Sequence, residues 1–255
     1  FSGTITSALT KVGTGTLLLS GANNYTGDTN INGGILRVNN ANNATVSATG
    51  TGRLNINNGG TLTGRGFIDN NIVYINSGGL FIPGAYYVGE LKVDGSIYQN
   101  PGGVLEFRLN SATSHSSIKG LNVMTLKGTL RILLKEGYTP SLGDSFELWS
   151  CNSFSSSIPE LVLPELPANL AWDTSELFTG RGKLSVTDAN GLRLNSWDEV
   201  LDIQVVNING LTVADLKSKA TEWEKDIKEL NLAKGIYLIK LQSGKSSRIV
   251  KHYQP

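Results

Sequence analysis

Apolar residues in the first hundred positions come in brief alternations and never in long runs: Leu17 to Leu19, Ile35 to Val38, Leu54 to Ile56, Ile72 to Ile75, Leu80 to Ile82 and Leu91 to Val93. Clusters of Asn, Gly, Ser and Thr separate them. Each alternation is too short for a helix, so the pattern predicts short strands joined by turns. Glycine pairs at Gly33-Gly34, Gly59-Gly60, Gly78-Gly79 and Gly102-Gly103 recur at intervals of 26, 19 and 24 residues. A loose repeat of about two dozen residues suits one coil of a β-helix.

The physical reason is pairing. One coil can neither hide its apolar side chains nor satisfy its backbone, whereas a stack of coils does both. Parallel pairing would turn Ile35 and Leu54 inward and leave Arg37, Arg53 and Asn57 to water. Glycines serve the corners, together with Asn23, Asn24, Asn32, Asn57 and Asn58, whose amides bond local backbone. The competing arrangement is an antiparallel sandwich of hairpins, for which Asn32-Gly33 is a good turn.

Residues 9 to 39 read LTKVGTGTLLLSGANNYTGDTNINGGILRVN. The Leu9-Thr10-Lys11 opening, Gly13 and Gly15, Leu17 with Leu19-Ser20-Gly21, then Asn23, Tyr25, Gly27 and Thr29, and the closing Gly34, Leu36 and Val38 resemble the passenger repeat of bacterial autotransporter proteins. The resemblance implies a right-handed single-stranded parallel β-helix in an exported or surface protein. It also implies that Tyr25 and Thr29 are packing and turn residues.

From about residue 105 to 190 the strand character persists but its grain changes. Val104 to Leu109, Met124 to Leu134, Ser145 to Trp149, Glu160 to Leu163 and Gly182 to Val186 are expected strands. Pro140 and Gly143 mark a loop, and Pro159, Pro164 and Pro167 argue against a central strand there. We read this part as a β-rich cap over the last coil, with Trp149 and Trp172 in its core. Residues 1–190 then form a β-helix domain with its cap, and Asp188 to Asn195 the joint to a second domain over 195–255.

In that second domain, Val200 to Asn207 and Leu211 to Val213 read as strands, with Ala214 and Asp215 ending the latter. Residues 216 to 230 have helical propensity, and Gly235 to Leu241 and Arg248 to Lys251 are strands joined through Ser243-Gly244-Lys245. The Asn207-Ile208-Asn209-Gly210 turn and the Leu232, Gly235, Tyr237, Ile239 and Leu241 spacing resemble the type A C-terminal sorting domain of the type IX secretion system of Bacteroidetes. Asn195-Ser196-Trp197-Asp198 stands where that family has Pro-Asn-Pro. The resemblance implies a small antiparallel β-sandwich without a helix over 222–230, the type IX export machinery as partner, and an extracellular or outer-membrane-surface location.

Composition narrows the chemistry. With 22 Lys+Arg against 21 Asp+Glu in 255 residues, there is no concentrated positive field for nucleic acid. No apolar run approaches a membrane span. Cys151 is the single cysteine, which removes disulfide frameworks and multi-cysteine metal sites. Phe1 follows no basic-then-apolar leader, so the chain reads as a mature form or a fragment.

His115 sits in a serine-rich stretch that reads as a solvated loop, and His252 near a fraying end, so no catalytic, cofactor or metal site is expected. Among carboxylates in the first hundred residues (Asp28, Asp69, Glu90 and Asp94), Glu90 with Asp94 is the best pair for glycoside chemistry. Tyr86 and Tyr87 beside Pro83-Gly84 are the candidate ligand surface. Two functions remain. One is a noncatalytic secreted stalk, spacer or adhesin segment, with a polysaccharide or cell-surface glycoprotein as ligand. The other is the noncatalytic C-terminal region of a larger secreted carbohydrate-active enzyme.

Overall fold

A computed structural model describes residues 7–40, 46–69, 72–84, 88–157, 160–189, 200–207, 209, 211–219, 222–243 and 246–254. The fold is almost entirely β and divides into two units, Phe1–Val186 and Thr187–Pro255. Two ladders of parallel strands build the first unit. One passes through Leu9–Lys11, Thr29–Ile31, Leu54–Ile56, Ile72–Ile75, Gly89–Gln99, Ser114–Leu126 and Trp149–Ser156. The other passes through Thr16–Leu19, Gly34–Val38, Gly60–Gly64, Leu80–Pro83, Val104–Ser111, Thr129–Leu134 and Glu160–Val162. The chain visits the ladders in turn and pairs each strand with the coil before it, which makes a parallel β-helix and not a sandwich of hairpins.

Successive side chains on a strand point to opposite faces. Leu36, Leu62, Phe81, Leu105 and Leu130 therefore stack in register inside one ladder, and Leu54, Val73, Ile97 and Met124 inside the other, all fully buried.

The corner between the ladders explains the glycine spacing. Asn57, Asn76 and Asn100 each accept, through the main-chain carbonyl, the N–H of Gly60, Gly79 and Gly103 at 2.8, 2.9 and 3.0 Å. The third residue of each turn, Gly59, Gly78 or Gly102, has φ of +77°, +73° or +78°, as a type II turn requires. The fourth glycine is needed for a different reason. A Cβ on Gly60 or Gly79 would lie 2.2 Å from the carbonyl oxygen of Ile31 or Ile56 in the coil below.

The corner asparagines also bond to one another. Asn57 donates to Asn32 Oδ1 at 2.7 Å, Asn76 to Asn57 at 2.7 Å, and Asn100 to Asn76 at 2.8 Å. One interior column next to this corner runs Lys11, Ile31, Ile56, Ile75, Gln99. Its two polar members are buried, and both satisfy corner backbone. Lys11 Nζ donates to the carbonyls of Val12, Gly13 and Gly33. Gln99 donates to those of Gly103 and Thr129 and accepts from the N–H of Gly128.

The coils continue past residue 105. The expected single strand from Met124 to Leu134 is two, one in each ladder, broken at Gly128, and Glu160–Val162 is the last strand of its ladder. A three-stranded sheet, in the order Ser145–Glu147, Lys183–Asp188, Leu170–Asp173, lies beyond them. Trp149 is fully buried, stacks on Phe154 at 5.9 Å and approaches Phe107 at 5.8 Å. Trp172 is half-buried, 6.1 Å from Phe146, and donates to the carbonyl of Pro164.

The second unit is an antiparallel sheet in the order Thr212–Lys219, Val200–Asn207, Gly235–Ser243, Ser246–Gln254. Asp215 does not end its strand. Ala214, Leu216 and Ser218 alternate with exposed Asp215, Lys217 and Lys219, and Lys217 reaches Asp202 at 3.1 Å, so a period of two wins over helical propensity. A helix does form later, at Trp223–Glu229, against the expectation of none over 222–230. Its Trp223 and Ile227 are the apolar cover for Leu201, Ile203, Val205, Tyr237, Ile239 and Leu241, and that burial explains why it persists at only two turns. Ser243 pairs with Ser246 across a two-residue connection, and His252 lies within the last strand opposite Tyr237. Asn195 to Asp198 lie outside the described residues.

Candidate functional site

In the repeat, the polar positions are consumed by the stack. Tyr25 is buried and its hydroxyl meets Thr29 Oγ1 at 2.5 Å, while Thr29 donates to the carbonyl of Thr49. Burial pushes the Tyr25 phenol up. Asn23 donates to the carbonyl of Ala48 in the next coil at 2.7 Å. Asp28 accepts the N–H of Arg53 at 3.0 Å, so this carboxylate closes a corner between coils.

Glu90 and Asp94 both lie on the strand Gly89–Gln99, with Lys92 between them on the same outward face. Four residues of strand separate their Cα atoms by roughly 13 Å, and Lys92 stands between the two carboxylates. Lys92 sits over the Phe67 ring at 5.0 Å. Tyr86 and Tyr87 lie outside the described residues.

A carboxylate that sequence reasoning passed over is the buried one. Glu106 faces Arg131 on the neighbouring parallel strand. It contacts that guanidinium at 2.6 Å and Arg108 Nε at 2.7 Å. Both oxygens are engaged, which explains how a charged group persists at 2% exposure.

His115 is not in a loop. It stands near the start of the strand Ser114–Leu126, half-buried and edge-on to Phe146 at 5.5 Å. Its Nε2 lies 3.3 Å from the Glu147 carbonyl. A carbonyl only accepts, so Nε2 carries the proton and Nδ1, buried without a partner, is left as the acceptor. Burial depresses its basicity, with Lys119 adding in the same direction. His115 lines a groove of about 560 Å³ with Arg65, Glu90, Ser145, Lys119 and Glu147, where Lys119 and Glu147 pair at 3.3 Å. Charges of both signs meet there, which gives the groove no net field. Cys151 is half-buried with its thiol pushed up by burial, the opposite of an activated nucleophile.

The outer face of the first ladder carries one continuous column: Asn30, Asn55, Tyr74, Tyr98, Thr125, Ser155. Tyr74 and Tyr98 are half-buried, with ring centroids 5.8 Å apart. Asn55 donates to Asn30 at 2.9 Å, and Thr125 bonds Ser155 at 2.9 Å. Asn76 and Asn100, two residues further on, flank the tyrosines. Their signal in the sequence was an asparagine three residues before the second glycine of a pair.

In the second unit, the Asn207 carboxamide oxygen accepts the N–H groups of Asn209 and Leu211, both at 3.0 Å, and the Asn207 N–H bonds the carbonyl of Leu211. The Tyr237 hydroxyl donates to the carbonyl of Ala233 at 2.7 Å. These side chains fix the turn and the strand entry.

Stacked coils and a small antiparallel sheet define the architecture: a parallel β-repeat region followed by a small antiparallel β unit. Residues 9–38 match the passenger-associated-transport-repeat family model, and residues 183–253 match that of the secretion system C-terminal sorting domain. The second match begins on the strand Lys183–Asp188, which pairs with Ser145–Glu147 in the first unit. No curated protein matches the chain. The sorting domain implies the type IX export machinery and marks the chain for the cell surface or extracellular space. Among the described residues no helix is long and apolar enough to cross a membrane.

Proposed function

We propose that this chain is a noncatalytic scaffold, a stalk or adhesin segment that the export route places outside the cell. The observation that carries the reading is where its polar groups go. Lys11, Asn23, Thr29 and the Asn32–Asn57–Asn76–Asn100 series all bond within or between coils. Glu90 and Asp94 are spread along one strand, and Glu106 is held by Arg108 and Arg131.

The contact surface in this reading is the outer column of the first ladder, where half-buried Tyr74 and Tyr98 stand two residues from the corner amides of Asn76 and Asn100. Aromatic rings next to fixed amide donors and acceptors suit a polysaccharide or the glycan of a cell-surface glycoprotein. The test is a glycan array together with an activity screen of the purified chain on polysaccharides. Binding lost in Tyr74→Ala and Tyr98→Ala without turnover is the expected result. Turnover that disappears in Glu90→Gln or Asp94→Asn overturns the noncatalytic reading.

A further inference from the structure

Among the described residues the sorting unit has one sheet, with two faces. The inner face is filled by Trp223 and Ile227 of its helix, so a partner must read the outer face or an edge. That outer face is divided. One half is charged and polar: Asp202 opposes Lys217 and Gln242, and Gln204 opposes Asp215 and Lys240. The other half holds the exposed apolar residues, bordered by Thr212 paired with Val206 and Lys251 paired with Leu238. Val213, Ile236 and Leu238 are 42%, 39% and 43% exposed, and Leu211 beside them is 65% exposed. These four are the large exposed hydrophobics of this unit among the described residues.

Their grouping is built into the backbone. Val205 pairs with Ala214 but Val206 with Thr212, so Val213 is the additional residue of a bulge. Bulges re-aim side chains, and this one leaves Val213 unpaired and exposed. Val206 pairs with Leu238 on the adjacent strand, and Ile236 is two residues from Leu238 on the same face. The Asn207 side chain holds the turn that brings Leu211 to the end of this strip. A contiguous apolar strip with a polar border is the anatomy of a protein contact.

We infer that Leu211, Val213, Ile236 and Leu238, with Val206, form the surface by which this unit docks on a protein component of the export machinery, through a complementary apolar strip. This rests on the secretion assignment above: a unit that is read as a signal must be read through what it exposes. The charged half of the face sets orientation, and the apolar half supplies the contact energy.

The test uses the whole chain behind a periplasmic leader in a type IX-competent host, with the exported fraction measured against the periplasmic one. Val213→Asp with Leu238→Asp is expected to lower the exported fraction about tenfold or more, while Gln242→Lys on the charged half exports normally. Circular dichroism of the purified variants checks folding. Should the aspartates unfold the unit, the strand-compatible pair Val213→Thr with Leu238→Thr is expected to show the same retention. Normal export of a folded strip variant overturns the inference. So does a variant that exports normally but loses self-association in sedimentation, which would assign the strip to a second copy of the chain. Export of a chain lacking residues 200–254 at the full-length level would instead remove the secretion assignment, and the inference with it.

Discussion

Gln99 Oε1 accepts the backbone N–H of Gly128, 29 residues later in the chain, at 3.1 Å. The same carboxamide donates to the carbonyls of Gly103 and Thr129. No asparagine precedes Gly128 as Asn100 precedes Gly102-Gly103, so the corner amide is supplied from inside the coil. Gln99→Leu preserves bulk but leaves a buried N–H without its acceptor, at a cost of about 1–3 kcal/mol. Chemical denaturation of the purified variant should show a lower midpoint, and an unchanged midpoint would refute this role.

Glycines of the same coils should differ sharply in what they tolerate. Gly79→Ala places a methyl 2.2 Å from the Ile56 carbonyl oxygen and is expected to destabilise by about 1–3 kcal/mol or more. Gly15 has open space around it and lies outside the left-handed region, so Gly15→Ala should be neutral or slightly stabilising. Thermal melts of the two variants check the contrast.

Glu106 and its arginines make an asymmetric prediction. The carboxylate is buried, whereas the Arg131 side chain is 36% exposed. Arg131→Met strips the buried charge of one partner and should cost about 1.5–3 kcal/mol. Glu106→Leu leaves only partly hydrated guanidinium groups behind and should cost less. A larger loss from Glu106→Leu would contradict the burial order.

His115 gives a pH dependence. Its basicity is depressed in the folded state, so the unfolded chain binds the proton more readily near the ordinary histidine range. Its contribution is present in full above the unfolded pKa of about 6.5 and declines as pH falls through that value toward the lower folded one. Stability measured from pH 7.5 to 5 should fall more in the wild type than in His115→Gln. Equal slopes would exclude His115 as the source.

The glycine pairs made the coil legible before any coordinates, because a type II turn and a close backbone approach each admit almost no other residue. Tyr25 and Thr29 were legible through their family spacing. Beyond Gly103 that punctuation lapses: Gly128 stands alone and Gln99 replaces the amide series, so the last coils merged into an expected cap. His115 was misread as a loop residue because serines surround it, although two of them, Ser116 and Ser117, are buried on the strand. The Trp223–Glu229 helix reflects local propensity reinforced by a sheet face that needed cover, a tertiary fact that spacing does not encode. Glu106 was invisible for the same reason, since its arginine partners are defined by register between coils.

The corner asparagines join across 25, 19 and 24 residues, yet every coil advances the stack by one interstrand spacing, about 4.8 Å. Height and residue count are therefore uncoupled. Extra sequence within a coil is displaced sideways as ornament without lengthening the column, so recognition loops could be swapped on its flank while the distance it spans stays constant.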